Sequence, residues 1–399
     1  MSVLHRKKIL LAVTAGIAAY KAAFLVRGLI KKGAEVKVIM TPDAQNFVTP
    51  LTLSTLSKHP VEWKFFDEDG DWNNHVESAL WADYMIIAPC TANTLSNMAD
   101  GTCDNLVLAT YLSAKCPVYF APAMDLDMYK HPSTQKNITL LESYGNICIP
   151  AEAGELASGL VGEGRMAEPD NIITFIENHI ESSLPLFKKN ILISAGPTYE
   201  NIDPVRFIGN YSSGKMGFEL AKEAANLGAN VTLVSGPSQE SIQGYSIHRI
   251  DVVSAANMYD AMHANFENSD IVIMSAAVAD YRPKEVAIQK IKKENDENMI
   301  IELIKNPDIL KSLGEIKTNQ LLVGFALETN NEEENAKKKL IKKNLDFIVL
   351  NSMQDKDAGF QKNTNKITII DKDLSMQEFS AKSKTDVAKD ILSAILNKL

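Results

Sequence analysis

Residues 122–129, PAMDLDMY, set two carboxylates, two thioethers and a tyrosine directly behind a strand-like run. As a metal site the set is poor, because carboxylates are hard ligands and thioethers soft, and no common ion suits both. Asp125 or Asp127 could cap a helix, or the segment could form one wall of a substrate pocket. A second chemical stretch, GNYSSGKM at 209–216, matches G-x-x-x-x-G-K but carries Met216 where a P-loop needs Ser or Thr for magnesium. It also stands well beyond the strand ILISAG, so it reads as a Gly/Ser-rich helix start whose free N–H groups and positive dipole end attract anions. Lys339 and Lys343, four apart in KKKLIKK, share one helix face that suits phosphates, although most of that run reads as solvated surface. His75 follows the polar DWNN and reads by itself as a loop histidine. Neither half contains G-x-G-x-x-G, which weighs against a dinucleotide dehydrogenase.

The elements that must position these groups are short aliphatic strands alternating with helices. KKILLAVTA, GAEVKVIMT, YMIIAP and PVYFAP read as buried strands of the first half, the last two stopped by Ala-Pro. Ile17, Tyr20, Phe24 and Gly28 fall at helical spacing between the first pair. The opening returns near residue 188, where KKNILISAGP resembles KKILLAVTAG, and DIVIMSAA, LLVGFALE, LDFIVLN and KITIID follow. The pattern predicts an α/β chain of two tandem doubly wound Rossmann-like domains with mainly parallel sheets, over 1–180 and 190–399, joined by a Pro-interrupted linker at 181–189. Ligands are then expected beyond the carboxyl ends of the strands. A length of 399 residues fits two domains. The net charge of −9 argues against broad binding to nucleic acid or anionic membranes. No run of 18 apolar residues occurs, and the N-terminus reads as a first strand, not a signal peptide. The four cysteines show no zinc or CxxC spacing, so reduced thiols and a cytoplasmic location are expected.

Several segments together carry a resemblance. The first half resembles the homo-oligomeric flavin-containing cysteine decarboxylases, through TAGIAAYK, NHV, APCTANTLSNMADGTCDNL at 88–106, APAMDLDMY and GELASGLVGEGRM at 154–166. The second half resembles phosphopantothenoylcysteine synthetase, through SAGPTYENIDPVRFIGNYSSGKMG at 194–217, AAVADYRP, KIKK, KNPDIL, VGFALET and KKKLIKKNLD. Both halves in this order are similar to the bifunctional coenzyme A biosynthesis proteins of bacteria.

The resemblance implies FMN in the first half and decarboxylation of phosphopantothenoylcysteine to phosphopantetheine. The flavin is needed because an ordinary cysteine carboxylate offers no electron sink for the carbanion that loss of CO₂ would leave, whereas a transiently oxidised thiol does. His75 matches the active-site base. Thr14, Gly16, Ile17, Thr41, Thr91, Ala92, Asn93, Thr94 and Met124 would line the FMN, and Asp125, Met128, Tyr129 and Arg165 the substrate. Two positions depart from the family pattern. Asp125 stands where Asn is usual, and Ser158 where a cysteine usually protonates the product; a hydroxyl is a far weaker acid than a thiol. A protonated Asp125 could compensate by donating to the substrate carboxylate.

For the second half the resemblance implies CTP-dependent joining of 4′-phosphopantothenate and L-cysteine through an acyl-cytidylate, with Mg²⁺ expected at the triphosphate and no metal ligands assigned. Asn210 and Lys290 match the residues that handle that intermediate. Asp280, Lys290, Pro307, Asp308, Ile309, Phe325, Lys339 and Lys343 align with the nucleotide site, and Arg206 with the SSGK amides are candidates for the substrate phosphate. The family also implies trimers through the flavin domain and dimers through the ligase domain, hence a large homo-oligomer such as a dodecamer. The alternatives are an active ligase fused to a flavoprotein that decarboxylates poorly, and a regulatory protein that keeps the folds for partner binding.

Overall fold

The aliphatic runs become two sheets whose central strands are buried on both faces. In the computed structural model, residues 2–66, 70–292, 299–328, 331–352 and 364–399 are described, and the chain divides into two units, Met1–Glu181 and Ser182–Leu399.

The first unit holds six parallel strands: β1 (Lys8–Val13), β2 (Glu35–Met40), β3 (Val61–Glu62), β4 (Tyr84–Cys90), β5 (Val118–Pro122) and β6 (Ile147–Cys148). Their order is 3-2-1-4-5-6. Successive side chains of a strand point to opposite faces, so Ile9, Leu11 and Val13 join one core while Leu10 and Ala12 join the other. That explains the unbroken apolar run in the sequence. The chain winds outward through β1, β2 and β3, then restarts at β4 on the other side of β1. A crevice therefore opens between β1 and β4 at the carboxyl ends of the strands.

Three details differ from the sequence reading. β4 runs one residue past its Ala-Pro pair, with a shift in register against β5 between Ile87 and Cys90. The segment at 17–31 is a 3-10 turn, Ile17–Lys21, followed by the helix Ala22–Lys31. Its buried face is Ala19, Ala22, Leu25, Val26 and Leu29, whereas Ile17, Tyr20 and Phe24 are 63%, 51% and 62% exposed. Helical spacing identified the helix, but the apolar stripe it picked out points away from the unit's own core. Finally, the glycine-rich 154–166 stretch folds as an antiparallel hairpin of β7 (Glu152–Glu155) and β8 (Val161–Arg165).

The second unit holds β9 (Asn190–Ala195), β10 (Asn230–Ser235), β11 (Ile247–Asp251), β12 (Ile271–Met274), β13 (Leu321–Glu328), β14 (Phe347–Ser352), β15 (Ile367–Asp371) and β16 (Met376–Glu378), in the order 11-10-9-12-13-14-15-16. The first six are parallel and the last two antiparallel, so the sheet is mixed at one edge. Helices Lys215–Asn226 and Lys384–Leu396 cover one face, and Ala255–Phe266, Ile309–Ile316 and Glu332–Lys342 the other. Leu186 is buried in this unit's core. The winding reverses between β9 and β12, which places a second crevice there.

Candidate active sites

In the first unit the switch point is closed by hydroxyls. Thr14, fully buried just after β1, donates from Oγ1 to the Pro89 carbonyl at 2.8 Å and accepts from the Thr91 N–H at 3.2 Å. Thr91 in turn caps the helix Ala92–Asp100 by accepting from Thr94 N–H. Thr14, Gly16, Thr91, Ala92 and Thr94 are thus gathered around one helix start, with Asn93 and Ile17 exposed beside it. Thr41 follows β2 at the same end of the sheet.

Three buried polar atoms at this end find no hydrogen-bond partner: Thr41 Oγ1, Glu62 Oε2 and His75 Nδ1. Buried polar atoms left this way cost about 1–3 kcal/mol each, so this end of the sheet holds polar groups that a polar ligand could satisfy. His75 opens the helix His75–Trp81, whose cap is Asn74 and not the histidine. The rings of Phe65 and Trp72 stand edge-on to it at 6.2 and 5.9 Å. Burial raises the Glu62 carboxyl above its ordinary range; Lys37 opposes this and Glu77 adds to it.

The 122–129 segment is both a cap and a wall. Asp125 caps the short helix Leu126–Lys130, accepting from Leu126 N–H at 2.7 Å. Met124 N–H donates to the Gly164 carbonyl at 3.0 Å, which ties this wall to the hairpin. Gly164 has φ +134°, and an added Cβ would lie 2.6 Å from the Met124 carbonyl oxygen. Met128 is exposed and Tyr129 half-buried. Ser158 sits at the exposed hairpin tip and accepts from Leu160 N–H. Arg165, expected to face substrate, is paired with Glu168, which also takes Lys21 Nζ at 3.0 Å. The Lys21 hydrogen bond holds Glu168 below the usual carboxylate range, and Lys21 also donates to the Met166 carbonyl at 2.7 Å. Burial pushes the Cys148 thiol up to about 12, which makes it a poor substitute acid for the missing cysteine.

In the second unit a cavity of about 150 Å³ lies at the carboxyl ends of β12, β13 and β14. Ser212–Met216, Ser275–Ala277, Phe325, Asn351, Asn365 and Lys384 line it. The SSGK amides are not all free, as the sequence suggested. Gly214 N–H donates to Ser212 Oγ and Lys215 N–H to Ser213 Oγ, because serines two residues before an amide bend back to meet it. Asn210 Nδ2 donates to the Ala277 and Val278 carbonyls at 3.1 and 3.2 Å.

Asp280 and the NPDI loop are brought together by Asn306, whose N–H donates to the Asp280 carbonyl and whose amide reaches Ala279. Asp308 caps Ile309–Ile316 and pairs with Lys343 at 2.9 Å. Burial opposes that ionisation, but Lys343 and the Lys311 N–H win and hold the Asp308 carboxyl low. Ile309 is a core residue, Pro307 is exposed, and Lys339 lies one turn before Lys343. Arg206 is paired with Asp203 and donates to Ile291 O, which anchors the loop carrying the exposed Lys290. No cluster of three metal-ligating side chains occurs among the described residues.

Three glycines let the loops of this cavity meet. Gly196 and Gly214 adopt φ +77° and +81°, and an added Cβ at Gly236 would collide with the Pro197 carbonyl oxygen. Because the obstacle is backbone, Gly236→Ala is expected to destabilise the second unit by about 3 kcal/mol. Urea unfolding of the full chain should show its transition shifted and that of the first unit unmoved; equal midpoints would contradict the packing described.

Lys384, Asn351 and Asn365 were not singled out from the sequence. A usable signal existed only for Lys384, a cation at the first position of a Ser-capped helix, where the dipole disfavours it.

Comparison with known proteins adds the following. Residues 2–181 match the Flavoprotein family model and residues 186–399 the DNA/pantothenate metabolism flavoprotein C-terminal domain. A "Cysteine/Cysteine sulfinic acid decarboxylase" from an unknown prokaryotic organism is 53% identical, over 88% of this chain and 99% of the relative. The "Coenzyme A biosynthesis bifunctional protein CoaBC" of Bacillus subtilis (strain 168) is 47% identical over 98% of this chain and 97% of that protein. A crystal structure of the C-terminal domain of a protein of that name shares 45% identity, covers 54% of this chain and 98% of its own, and superposes with a TM-score of 0.47.

Proposed function

The chain belongs to the family of bifunctional coenzyme A biosynthesis proteins, and from that premise we propose that its second unit joins 4′-phosphopantothenate to L-cysteine with CTP while its first unit decarboxylates the product. The observation that carries the reading is that buried polar atoms without partners gather at the carboxyl ends of both sheets: Thr41 Oγ1, Glu62 Oε2 and His75 Nδ1 in the first unit, and Asn351 and Asn365 Oδ1 on the cavity of the second.

In the first unit the residues present fit FMN. Thr14, Gly16, Thr91 and Thr94 would hold it at the start of the helix Ala92–Asp100, and the unpartnered Thr41 hydroxyl would gain a hydrogen bond. Bound FMN would supply the reversible two-electron oxidation that turns the substrate thiol into an electron sink. His75 takes the substrate proton through an imidazole that no other side chain of the chain engages by hydrogen bonding among the described residues. Asp125 orients the substrate's cysteinyl end, and the β7–β8 hairpin, tied to Met124, folds over it and excludes water. Ser158 lies at the tip of that hairpin.

In the second unit the phosphopantothenate carboxylate attacks the α-phosphate of CTP, releasing pyrophosphate, and the cysteine amine then displaces CMP. Phe325 and the 212–216 loop line the nucleotide site, and Asn210 and Lys290 serve the acyl-cytidylate. Mg²⁺ would be held by the triphosphate's own hard oxygens, since the described residues cluster no such ligands, and would offset the charge repulsion between triphosphate and carboxylate. The exposed stripe of Ile17, Tyr20 and Phe24 supports burial against further copies of the chain. No helix among the described residues is long and apolar enough to cross a membrane, which accords with a cytoplasmic enzyme.

One residue favours a second substrate reading. Free L-cysteine carries an ammonium where phosphopantothenoylcysteine has a neutral amide, and the carboxylate of Asp125 suits the ammonium. The test supplies phosphopantothenate, cysteine, CTP and Mg²⁺, then each decarboxylase substrate separately, and identifies products by mass. Phosphopantetheine with CMP is the expected result. Accumulated phosphopantothenoylcysteine would leave an active ligase with an impaired flavin half. Cysteamine from free cysteine, lost on Asp125→Asn by about 10-fold or more, would establish the second reading.

A further inference from the structure

A buried cation with nothing to hold forms part of the second unit's cavity wall. Lys384 is 6% exposed, lines the cavity, and makes no hydrogen bond or ion pair among the described residues. Its stem is packed away and its ammonium opens onto the cavity, where no group among the described residues pairs with it. Its position disfavours a cation. It is the first residue of the helix Lys384–Leu396, whose positive dipole end repels it. Burial and the neighbouring Lys215 push its pKa down, with Glu240 partly opposing.

The chain nevertheless holds Lys384 there firmly. The strand Thr364–Asn365 pairs antiparallel with Lys382–Ser383, and Ser383 caps the helix by accepting from Asp386 N–H. Asn365, 4% exposed, faces the same cavity with Oδ1 unpartnered, and its Nδ2 reaches only the Met216 sulfur at 3.8 Å. Asn351 Oδ1, on β14, is likewise buried and unpartnered. Lys215 opens the neighbouring helix Lys215–Asn226 and lines the same cavity. The cavity thus collects two lysines, the starts of two long helices and two amide oxygens that lack donors. That is the complement of an anion carrying hydroxyl or amino groups.

Resting on the ligase reading above, we propose that Lys384 is a phosphate-binding residue of that site. With Lys215 it grips the phosphate chain of a substrate, and Asn351 and Asn365 accept from that substrate's donor groups. Two lysines and two helix starts match a polyphosphate better than a single phosphate, which favours the nucleotide over the phosphorylated acid as the source.

The test uses the full chain and inorganic pyrophosphate as probe, by calorimetry and thermal melting, with Lys384→Met and Lys384→Arg. Wild type is expected to bind pyrophosphate and melt higher in its presence. Lys384→Met should weaken binding about 10- to 100-fold, and Lys384→Arg should retain most of it. Without ligand, Lys384→Met should melt no lower than wild type, since an unpartnered cation beside Lys215 and at a positive helix start has been removed; a residue of purely structural value would shift the other way. In steady state, a raised KM for CTP alone identifies the nucleotide, and a raised KM for phosphopantothenate alone identifies the acid's phosphate. Unchanged pyrophosphate binding and unchanged KM values in Lys384→Met would overturn the proposal. Absence of ligase turnover in wild type would overturn the ligase reading instead, while the pyrophosphate comparison would still decide the role of Lys384.

Discussion

Replacement of His75 by asparagine is expected to slow decarboxylation of phosphopantothenoylcysteine by about 10²- to 10⁴-fold, the usual contribution of a general base, while ligation continues. The helix His75–Trp81 is capped by Asn74, whose side chain accepts from Val76 and Glu77 N–H, so the substitution removes no cap. Nor does it break a hydrogen bond, because Nδ1 has no partner. What it removes is a titratable nitrogen and some edge contact with Phe65 and Trp72. Asparagine can still hydrogen-bond a ligand but cannot take a proton. Retained flavin absorbance with lost CO₂ release would separate chemistry from folding. Near-normal CO₂ release from His75→Asn would remove the histidine from the mechanism.

How far the sequence reveals this architecture depends on the kind of signal. The central strands were legible because burial on both faces demands long apolar runs, as in Ile9–Val13 and Ile271–Met274. β3 and β6, two residues each, have too few positions to carry a pattern. The β7–β8 hairpin is polar and glycine-rich because one face meets solvent and Gly164 must pass close to Met124. Periodicity marked Ile17, Tyr20 and Phe24 as one face, but it cannot say whether that face meets its own core or another surface.

The sites divide in the same way. Residues that directly follow a strand or open a helix at the switch points, such as Thr14, Thr91 and Ser212–Met216, could be located from chain order alone. Those that depend on pairing across the fold could not. Arg165 is expected to face substrate and Arg206 the substrate phosphate, yet each has a carboxylate three residues away in sequence that the fold turns toward it. Lys384 shows the converse: its place as a cation behind a Ser cap is the only oddity its sequence offers, and the antiparallel pairing of Thr364–Asn365 with Lys382–Ser383 is what brings it into the cavity wall.

Asn210→Asp should cost the ligase about 10²- to 10³-fold, the range expected for a misplaced polar group at a reaction centre, with little loss of stability. Asn210 is exposed, so water can solvate a carboxylate there and the fold pays little. Function has no such relief. Nδ2 donates to the carbonyls of Ala277 and Val278, and an aspartate oxygen in that place would oppose two carbonyl oxygens at about 3 Å. The side chain must rotate away and release the loop that follows β12. The same bonds determine what Asn210 offers a ligand. With its nitrogen committed to two acceptors, the free group is Oδ1, an acceptor suited to an N–H of the incoming cysteine amine and not to the oxyanion of an acyl phosphate. The substitution is therefore expected to stall the second half-reaction. Incubation with phosphopantothenate, CTP, Mg²⁺ and cysteine should release pyrophosphate in an amount near that of the enzyme, with little CMP. If neither pyrophosphate nor CMP forms, Asn210 acts in the attack on CTP and the acceptor role is wrong. If both form at wild-type rates, the residue lies outside the reaction and the contacts with Ala277 and Val278 are structural only.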